Sequence, residues 1–382
     1  MSKQDRDHRR DRLVSAPKLA ASHTSVVDFA AAVSAGLDEP TDVVRLDVDG
    51  CRIDVATDEP RLRDRLARYF RRWIVSATDT PHLRIVALER PSLELDVAWT
   101  IEPDEPGTTR MKQQYLDLPD GRLVLDRRTG MLFAFGGDVH LAIGRCLRND
   151  DQVVDFLNNR YMQWRTSQGY LVAHAAAVGR DGRCLAICGT SGVGKSTTAL
   201  RLFTEGLDFV SNDRLLLRPS QYGVEMLGVP KYPRVDPGAL LFNVALEHML
   251  SPKDRIRLKA LPTDELMTLE HKQDVLIDEV RGAGRFATRG HLAALVVFNW
   301  DDASGEPMAR EVDLSIHRKL LPAITGSPGL FFEPDEEAET LDMSAARYLD
   351  VLSRRPVVEI SGGRDFDAAA GLAREVLERY AP

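Results

Sequence analysis

The chain is short of cysteine, of positive charge and of long apolar runs, and each shortage narrows its function. Four cysteines, Cys51, Cys146, Cys184 and Cys188, are spread over 382 residues, and no two form a CxxC pair. That spacing disfavours a zinc or dithiol site. Cys184 and Cys188 share one apolar stretch and are expected to be small core residues of a reduced, cytoplasmic protein. A net charge of −8 argues against general nucleic-acid binding. No apolar run approaches the roughly 20 residues of a membrane span, so no membrane partner is expected. Met1 to Arg12 has no apolar segment of the secretory kind, and residues 1–20 are expected to be a disordered tail. Internal repeats and low-complexity tracts are missing as well.

An apolar content of 43% with 28% charge is ordinary globular composition, and the length suits two domains. An N-terminal α+β domain is expected over residues 21–166 and a catalytic α/β domain over 167–382. In the first, Ser25 to Leu37 reads as a short helix with Ser25 and Asp28 as a capping box. Val44 to Val48 and Cys51 to Val55 alternate around Asp49-Gly50, a hairpin signal. Pro60 opens a helix with Leu62, Leu66, Tyr69, Phe70 and Trp73 on one face. Its other surface carries Arg61, Arg63, Arg65, Arg68, Arg71 and Arg72. This is either a solvated face or a dock for an acidic partner or membrane surface. Asp120-Gly121 and Thr129-Gly130 flank Leu123 to Leu125, with Met131 to Phe135 next, as in a meander. A helix from about Asp151 to Arg165 leads to the second domain.

The second domain holds the most informative stretch, Gly189-Thr190-Ser191-Gly192-Val193-Gly194-Lys195-Ser196. It fits GxxxxGK[ST] at every fixed position, between an apolar strand (Arg183 to Cys188) and a helix start running to Phe203. Such glycines let backbone N–H groups close around phosphate oxygens, helped by the helix N-terminus. Lys195 is expected to reach the β- and γ-phosphates of a nucleoside triphosphate. Ser196 would ligate Mg²⁺, and Thr197 ends the binding loop. A strand from Leu171 to Val178 and the turn Gly179 to Gly182 precede the loop strand. The loop is therefore reached through a β-hairpin, unlike the βαβ unit of most doubly wound folds. Further strands are expected at Phe209 to Arg214 with Leu215 to Leu217, at Val275 to Ile277, at Ala294 to Phe298 and at Val357 to Ile360. A C-terminal helix is expected from about Phe366 to Tyr380. The acidic stretch Glu333 to Glu339 reads as a solvated loop.

Three features could meet the phosphates. Asp213 follows an apolar strand 18 residues after Lys195 and could hold Mg²⁺, or be a cap or turn residue. His174 lies on the strand paired with the loop strand, where it could orient a nucleophile, contact the γ-phosphate, or be structural. In Gly228-Val229-Pro230-Lys231-Tyr232-Pro233-Arg234, two prolines stiffen a loop. Lys231 and Arg234 are either phosphate clamps there or ordinary surface cations. Ser361-Gly362-Gly363 lacks the Gln of a transporter-ATPase signature, and no strand ending Asp-Glu follows. His271-Lys272-Gln273-Asp274 has the wrong first residue for a guanine-reading motif.

His174, the loop 189–196 and Val210-Ser211-Asn212-Asp213-Arg214 together resemble the HPr kinase/phosphorylase superfamily. Glu279-Val280-Arg281-Gly282-Ala283-Gly284 is similar to that family's Glu-Ile-Arg-Gly-Leu-Gly segment. The resemblance implies a P-loop nucleotide-binding domain of the HPr kinase / PEP carboxykinase-like type, with ATP and Mg²⁺ as cofactors and a homo-oligomeric assembly. The family has two consecutive acids where this chain has Asn212-Asp213. The first handles the proton of a serine nucleophile and the second serves the metal. Asn212 cannot take a proton. Ser211 to Arg214, Gly228 to Arg234, Gly284-Arg285-Phe286, Ser361 to Gly363 and Asp365-Phe366 look like the HprK-related kinase B family, over most of the chain from about Tyr170. That resemblance implies a gene neighbourhood with ATP-grasp and amphi-Trp proteins.

The expectation is an ATP-dependent kinase acting on a hydroxyl, a serine of a small protein or peptide. Residues 189–197 would bind the nucleotide, and Ser196 and Asp213 the metal. Lys195 with Lys231 or Arg234 would neutralise the transferred group, and Asn212 would position the acceptor. His174, Asp278 or Glu279 would accept the proton. The alternatives are a small-molecule phosphotransferase and a nucleotide-sensing protein with weak chemistry.

Overall fold

The structure is a computed structural model. It describes residues 25–380 apart from 77–79, 94, 102–111, 242, 263–264, 266–268, 270–272, 283, 301–304, 327–328 and 333–342. The tail expected at 1–20 and the acidic stretch at 333–339 lie outside the described residues. The chain forms two compact units, Met1–Tyr161 with Gly329–Glu333, and Met162–Pro328 with Pro334–Pro382. Both are mixed α/β with large sheets. The division falls inside a helix rather than after residue 166, and a short later segment belongs to the first unit.

In the first unit, β1 (Asp42–Val48) and β2 (Cys51–Thr57) form the expected hairpin. Asp49 and Gly50 have φ of 53° and 89°, the pair of left-handed values a type I′ turn requires. Helix α1 (Val26–Ser34) is capped by Ser25, whose Oγ accepts from Asp28 N at 3.0 Å. Helix α2 (Pro60–Tyr69) starts with proline in its first turn and buries Leu62 and Leu66. Phe70 and Trp73 continue the apolar stripe past its end. It leads to β3 (Leu83–Glu89), parallel to β2. The strands β4 (Thr100–Ile101), β5 (Gln113–Leu118), β6 (Gly121–Asp126), β7 (Leu132–Gly136) and β8 (Val139–Gly144) form an antiparallel meander, and β8 lies parallel to β3. The sheet order is β1-β2-β3-β8-β7-β6-β5-β4. Helix α1 seals it with Val26 and Phe29 against Leu123, Leu132 and Leu141. Arg63 and Arg65 of α2 reach Asp42 and Asp150 at 3.7 and 3.0 Å, so part of the arginine-rich surface is engaged within the unit. Phe331 of the returning segment packs on Phe133 and Phe135, and Arg122 donates to Leu330 O at 3.0 Å. Helix α3 (Asp150–Thr166) carries the boundary between the units.

The second unit opens with the hairpin β9 (Leu171–Arg180) and β10 (Arg183–Cys188), turning at Asp181 and Gly182 with φ of 50° and 75°. Helix α4 (Lys195–Thr204), β11 (Asp208–Ser211), β12 (Arg214–Ser220), β13 (Gly223–Gly228) and β14 (Arg234–Val235) follow. Next come α5 (Pro237–Leu241), α6 (Pro252–Lys259), β15 (Gln273–Asp274) and α7 (Ile277–Arg281). The chain ends with β16 (Arg289–Trp300), β17 (Met308–Glu311), α8 (Ala345–Leu352), β18 (Val357–Gly362) and α9 (Phe366–Tyr380). Five strands pair in a closed ring: β10 with β9 and β16, β16 with β13, β13 with β12, and β12 with β9. Strand alternation then divides the core. Ala173, Ala175 and Ala177 face one apolar cluster that takes in Tyr348 and Val351 of α8. Ala176 and Val178 face another, closed by Leu202 of α4 and by Ala370 and Ala373 of α9.

Val275 to Ile277, expected as a strand, is not one. Only Gln273 and Asp274 pair, with Val235 and Arg234, and the chain turns into α7 at Ile277. Asp278 and Glu279 in that helix's first turn complement its N-terminus. A short buried apolar run does not by itself distinguish helix from strand. Among the described residues no helix is long and apolar enough to cross a membrane.

Candidate active site at the glycine loop

Six residues join β10 to α4, and their glycines are used for close approach. Gly189 has φ 151°; a Cβ there would lie 2.6 Å from Val193 Cγ1. Gly194 caps α4 at φ 100°, ψ 13°, and a Cβ would stand 2.2 Å from the Phe366 ring. No side chain fits at residue 194 without displacing that ring. Gly189 N donates to Ala323 O at 3.0 Å. Lys195 is 7% exposed, and its Nζ donates at 2.9 Å to both Gly189 O and Thr190 O. Burial pushes its ammonium pKa down, while the charge of Asp213 opposes the shift. Thr190, Ser191 and Gly192 are exposed at the tip; Ser196 and Thr197 are half-buried at the helix start.

The sheet register brings the other residues to the same end. Cys188, the last residue of β10, pairs with Ala175, and the neighbouring His174 pairs with Arg214. His174 Nε2 lies 3.2 Å from Asp213 Oδ1, and Ala175 N donates to Asp213 O at 3.2 Å. The Asp213 side chain is 55% exposed. Desolvation pushes its carboxyl up, but the His174 hydrogen bond and the charges of Arg214, His174 and Lys231 outweigh this and hold it well below the usual carboxylate range. Asn212 and Asp213 form the break between β11 and β12, pinned by Ser211 Oγ donating to Arg214 O at 2.6 Å. Asn212 Oδ1 is buried and has no hydrogen-bond partner among the described residues.

The loop 228–234 abuts the same break. A Cβ at Gly228 would lie 2.2 Å from Val210 O. Tyr232 is fully buried and donates from its hydroxyl to Asp278 Oδ2 at 3.1 Å. Of the two cations expected to clamp phosphate, Lys231 acts electrostatically on Asp213, while Arg234 sits on β14 with its Nε 3.5 Å from Asp274 Oδ1. Asp278 is committed to Tyr232, and Glu279 is exposed on α7. Arg281 donates to Phe203 O and Thr204 O at 2.8 and 3.0 Å, closing the C-terminal turn of α4. Arg285 pairs with Asp208 at 2.9 Å, and Phe286 packs on Phe209 and Tyr232. These last residues support the site from behind.

Sequence reasoning did not identify the aromatic wall of the loop. Phe298, Trp300 and Phe366 form it: Trp300 stacks on Phe298 at 5.0 Å between ring centres and meets Phe366 edge-on at 6.3 Å. The only sequence signal was position, since Trp300 lies just beyond one expected strand and Phe366 opens the expected final helix. A cavity of about 330 Å³ opens at the other end of the β9–β10 hairpin, between Arg180, Arg183, Leu207, Arg374 and Glu378. None of the sequence-predicted site residues lines it.

No protein-family model matches the chain, and no curated protein does. Among solved structures, the Hpr(Ser) kinase/phosphatase from Coxiella burnetii is similar over 55% of this chain and 88% of that one, at 12% identity and a TM-score of 0.28. At that score the likeness bears on neither fold nor activity.

Proposed function

We propose that the second unit is a P-loop nucleotide-binding domain and that the protein is an ATP-dependent phosphotransferase acting on a hydroxyl, a serine of a small protein or peptide. The observation that carries this reading is the meeting of the glycine loop and its buried Lys195 with the His174–Asp213 pair at one end of the sheet. Loop amides and the α4 N-terminus suit a polyphosphate. Lys195 would leave the loop carbonyls for the phosphates, and Lys231 would add charge from the other side.

The donor set suits Mg²⁺ carried by the nucleotide. Among the described residues no cluster of three His, Cys, Asp or Glu side chains could hold a metal by itself. Mg²⁺ is ordinarily held through one or two carboxylates plus substrate phosphates. Ser196 and Asp213 would supply the protein's oxygens, and the bound ion would neutralise charge on the β- and γ-phosphates. In the transfer, the acceptor hydroxyl oxygen bonds to Pγ as the bond from Pγ to the β–γ bridging oxygen breaks, and ADP leaves. The hydroxyl proton would pass to His174, whose imidazole Asp213 orients. Asn212, with a buried acceptor oxygen, would hold the hydroxyl. A loose transition state places little demand on a base, so an amide at residue 212 is compatible with transfer.

Incubation with γ-labelled ATP, Mg²⁺ and proteins encoded nearby, starting with any ATP-grasp or amphi-Trp protein among them, tests the reading. Label on a serine of one partner, lost in Lys195→Ala and Asp213→Ala, is the expected result. Label on metabolites alone would move the substrate to a small molecule. The unionisable Asn212 also favours a nucleotide sensor. Tight ATP binding without transfer or hydrolysis would establish that reading instead.

A further inference from the structure

We propose that Trp300 is a positioning residue that fixes the direction of the Gly194 amide, and so prepares the glycine loop for a phosphate before any ligand arrives. The inference rests on the phosphotransferase reading for its purpose, but on the ligand-free loop for its geometry. Trp300 Nε1 donates to Val193 O at 2.9 Å. A trans peptide is planar, with its carbonyl and its N–H pointing in opposite directions. Holding Val193 O against the indole therefore turns the Gly194 N–H away from it. Lys195 Nζ holds the carbonyls of Gly189 and Thr190. Three carbonyls of the loop are thus engaged by side chains. A carbonyl facing a bound phosphate would repel it; in the ligand-free loop these bonds turn three of them away, and once Lys195 leaves for the phosphates the Trp300 bond is the one that remains.

The peptide that Trp300 holds ends on a glycine. Gly194 has no side chain and a left-handed φ of 100°, so rotation of the Val193–Gly194 plane meets little local resistance. Phe366 packs where a Cβ would be, and its ring edge meets Trp300. The stacked pair Phe298–Trp300 keeps the indole in place, and Phe298 O lies 3.2 Å from the Cβ position of Gly189. The end of β16 and the start of α9 therefore grip both ends of the loop. The hydrogen bond from Nε1 is the part that sets amide direction; the ring contacts set distance.

Trp300→Phe separates the two roles, because it keeps a ring on Phe298 and Phe366 and removes the donor. Two measurements on the whole protein test it. The first is the ¹⁵N order parameter of the Gly194 amide without nucleotide. A fall from the rigid range of about 0.85 towards about 0.6 in the variant is expected, with a thermal midpoint lowered by no more than a few degrees. The second is the affinity for ATP with Mg²⁺. A Kd and KM raised about five- to tenfold with kcat little changed is expected, since the nucleotide must then order the peptide itself. An unchanged order parameter in Trp300→Phe would overturn the proposal whatever the enzyme does. A lower order parameter with unchanged ATP affinity would overturn it too, by reducing Trp300 to a packing residue. If the wild type binds no ATP at all, the phosphotransferase reading fails on that result, and the order parameter still decides the clamp.

Discussion

Two loops of the second unit approach the break at Asn212 and Asp213, and they are held in opposite ways. Loop 189–194 is held through its backbone: carbonyls bonded to Lys195 and Trp300, an N–H bonded to Ala323, and glycines at φ of 151°, 75° and 100°. Its tip side chains are exposed. Loop 228–234 is held through its side chains, with Tyr232 buried on Asp278 and Arg234 set against Asp274. The first offers amide groups around one buried lysine; the second offers a cation, Lys231, to Asp213. A site made of backbone tolerates exchange of its exposed side chains but not of its glycines. A site presented on anchored side chains fails through loss of the anchors.

The largest expected effect falls on the first loop. Lys195→Ala removes the charge that would meet the transferred phosphoryl group, and a fall in kcat/KM of about a thousandfold is expected in a γ-phosphate transfer assay. Stability should change little or rise, because Lys195 is a buried ammonium held only by two carbonyls. A loss of folding in that variant would make Lys195 a structural residue and remove the main contrast between the loops.

Glycine exchange sharpens the contrast. Gly194→Ala places a methyl group 2.2 Å from the Phe366 ring at a φ of 100°, and a loss of about 2–4 kcal/mol is expected in urea unfolding. Nucleotide affinity should fall with it, since Gly194 carries the amide that Trp300 orients. Gly228→Ala also meets a close neighbour, Val210 O at 2.2 Å, but its φ is outside the left-handed region. A loss of about 1–3 kcal/mol is expected there, with ATP affinity largely retained.

Asp213 lies between the loops and ties them to pH. Its folded pKa is lower than the unfolded value of about 3.9, so it contributes stability above about pH 4 that disappears as pH falls through the folded value. The side chain is half exposed and screened, which holds the effect below about 1 kcal/mol. Asp213→Asn should therefore lose less unfolding free energy than wild type between about pH 5 and pH 2. Equal acid sensitivity in the two proteins would mean that His174, Arg214 and Lys231 do not stabilise the carboxylate.

What the sequence made legible was local. The glycine pattern fixed a strand–loop–helix, Asp49-Gly50 and Asp181-Gly182 turned hairpins, and spaced apolar residues marked α2. Features that depend on distant partners were not legible. Strand β13 interrupts its apolar run with Glu225, which is buried because Tyr170, Arg218 and Arg289 donate to it at 2.8, 2.8 and 2.5 Å. The closure of the ring depends on β16 pairing with both β10 and β13, β16 also pairs with β18, and no pattern within β16 announces three neighbours. From its prolines Arg234 reads as either a phosphate clamp or a surface cation, and its ion pair depends on Asp274, far along the chain. The role of Trp300 needed the loop carbonyl that it meets.

Two side-chain variants test the second loop. Lys231→Ala should lower kcat by about tenfold with little change in stability, because its charge acts on Asp213 and would add to Lys195 at the phosphates. Arg234→Ala should do the reverse. Its ion pair with Asp274 is a half-exposed contact on the two-stranded ladder of β14 and β15, so a loss of up to about 1 kcal/mol in unfolding is expected, with kcat within about twofold of wild type. The two variants should therefore separate on a plot of kcat against unfolding free energy. If Arg234→Ala loses activity as Lys231→Ala does, then Arg234 leaves Asp274 when nucleotide binds. The second loop would then be a clamp of two cations rather than one cation on an anchored frame.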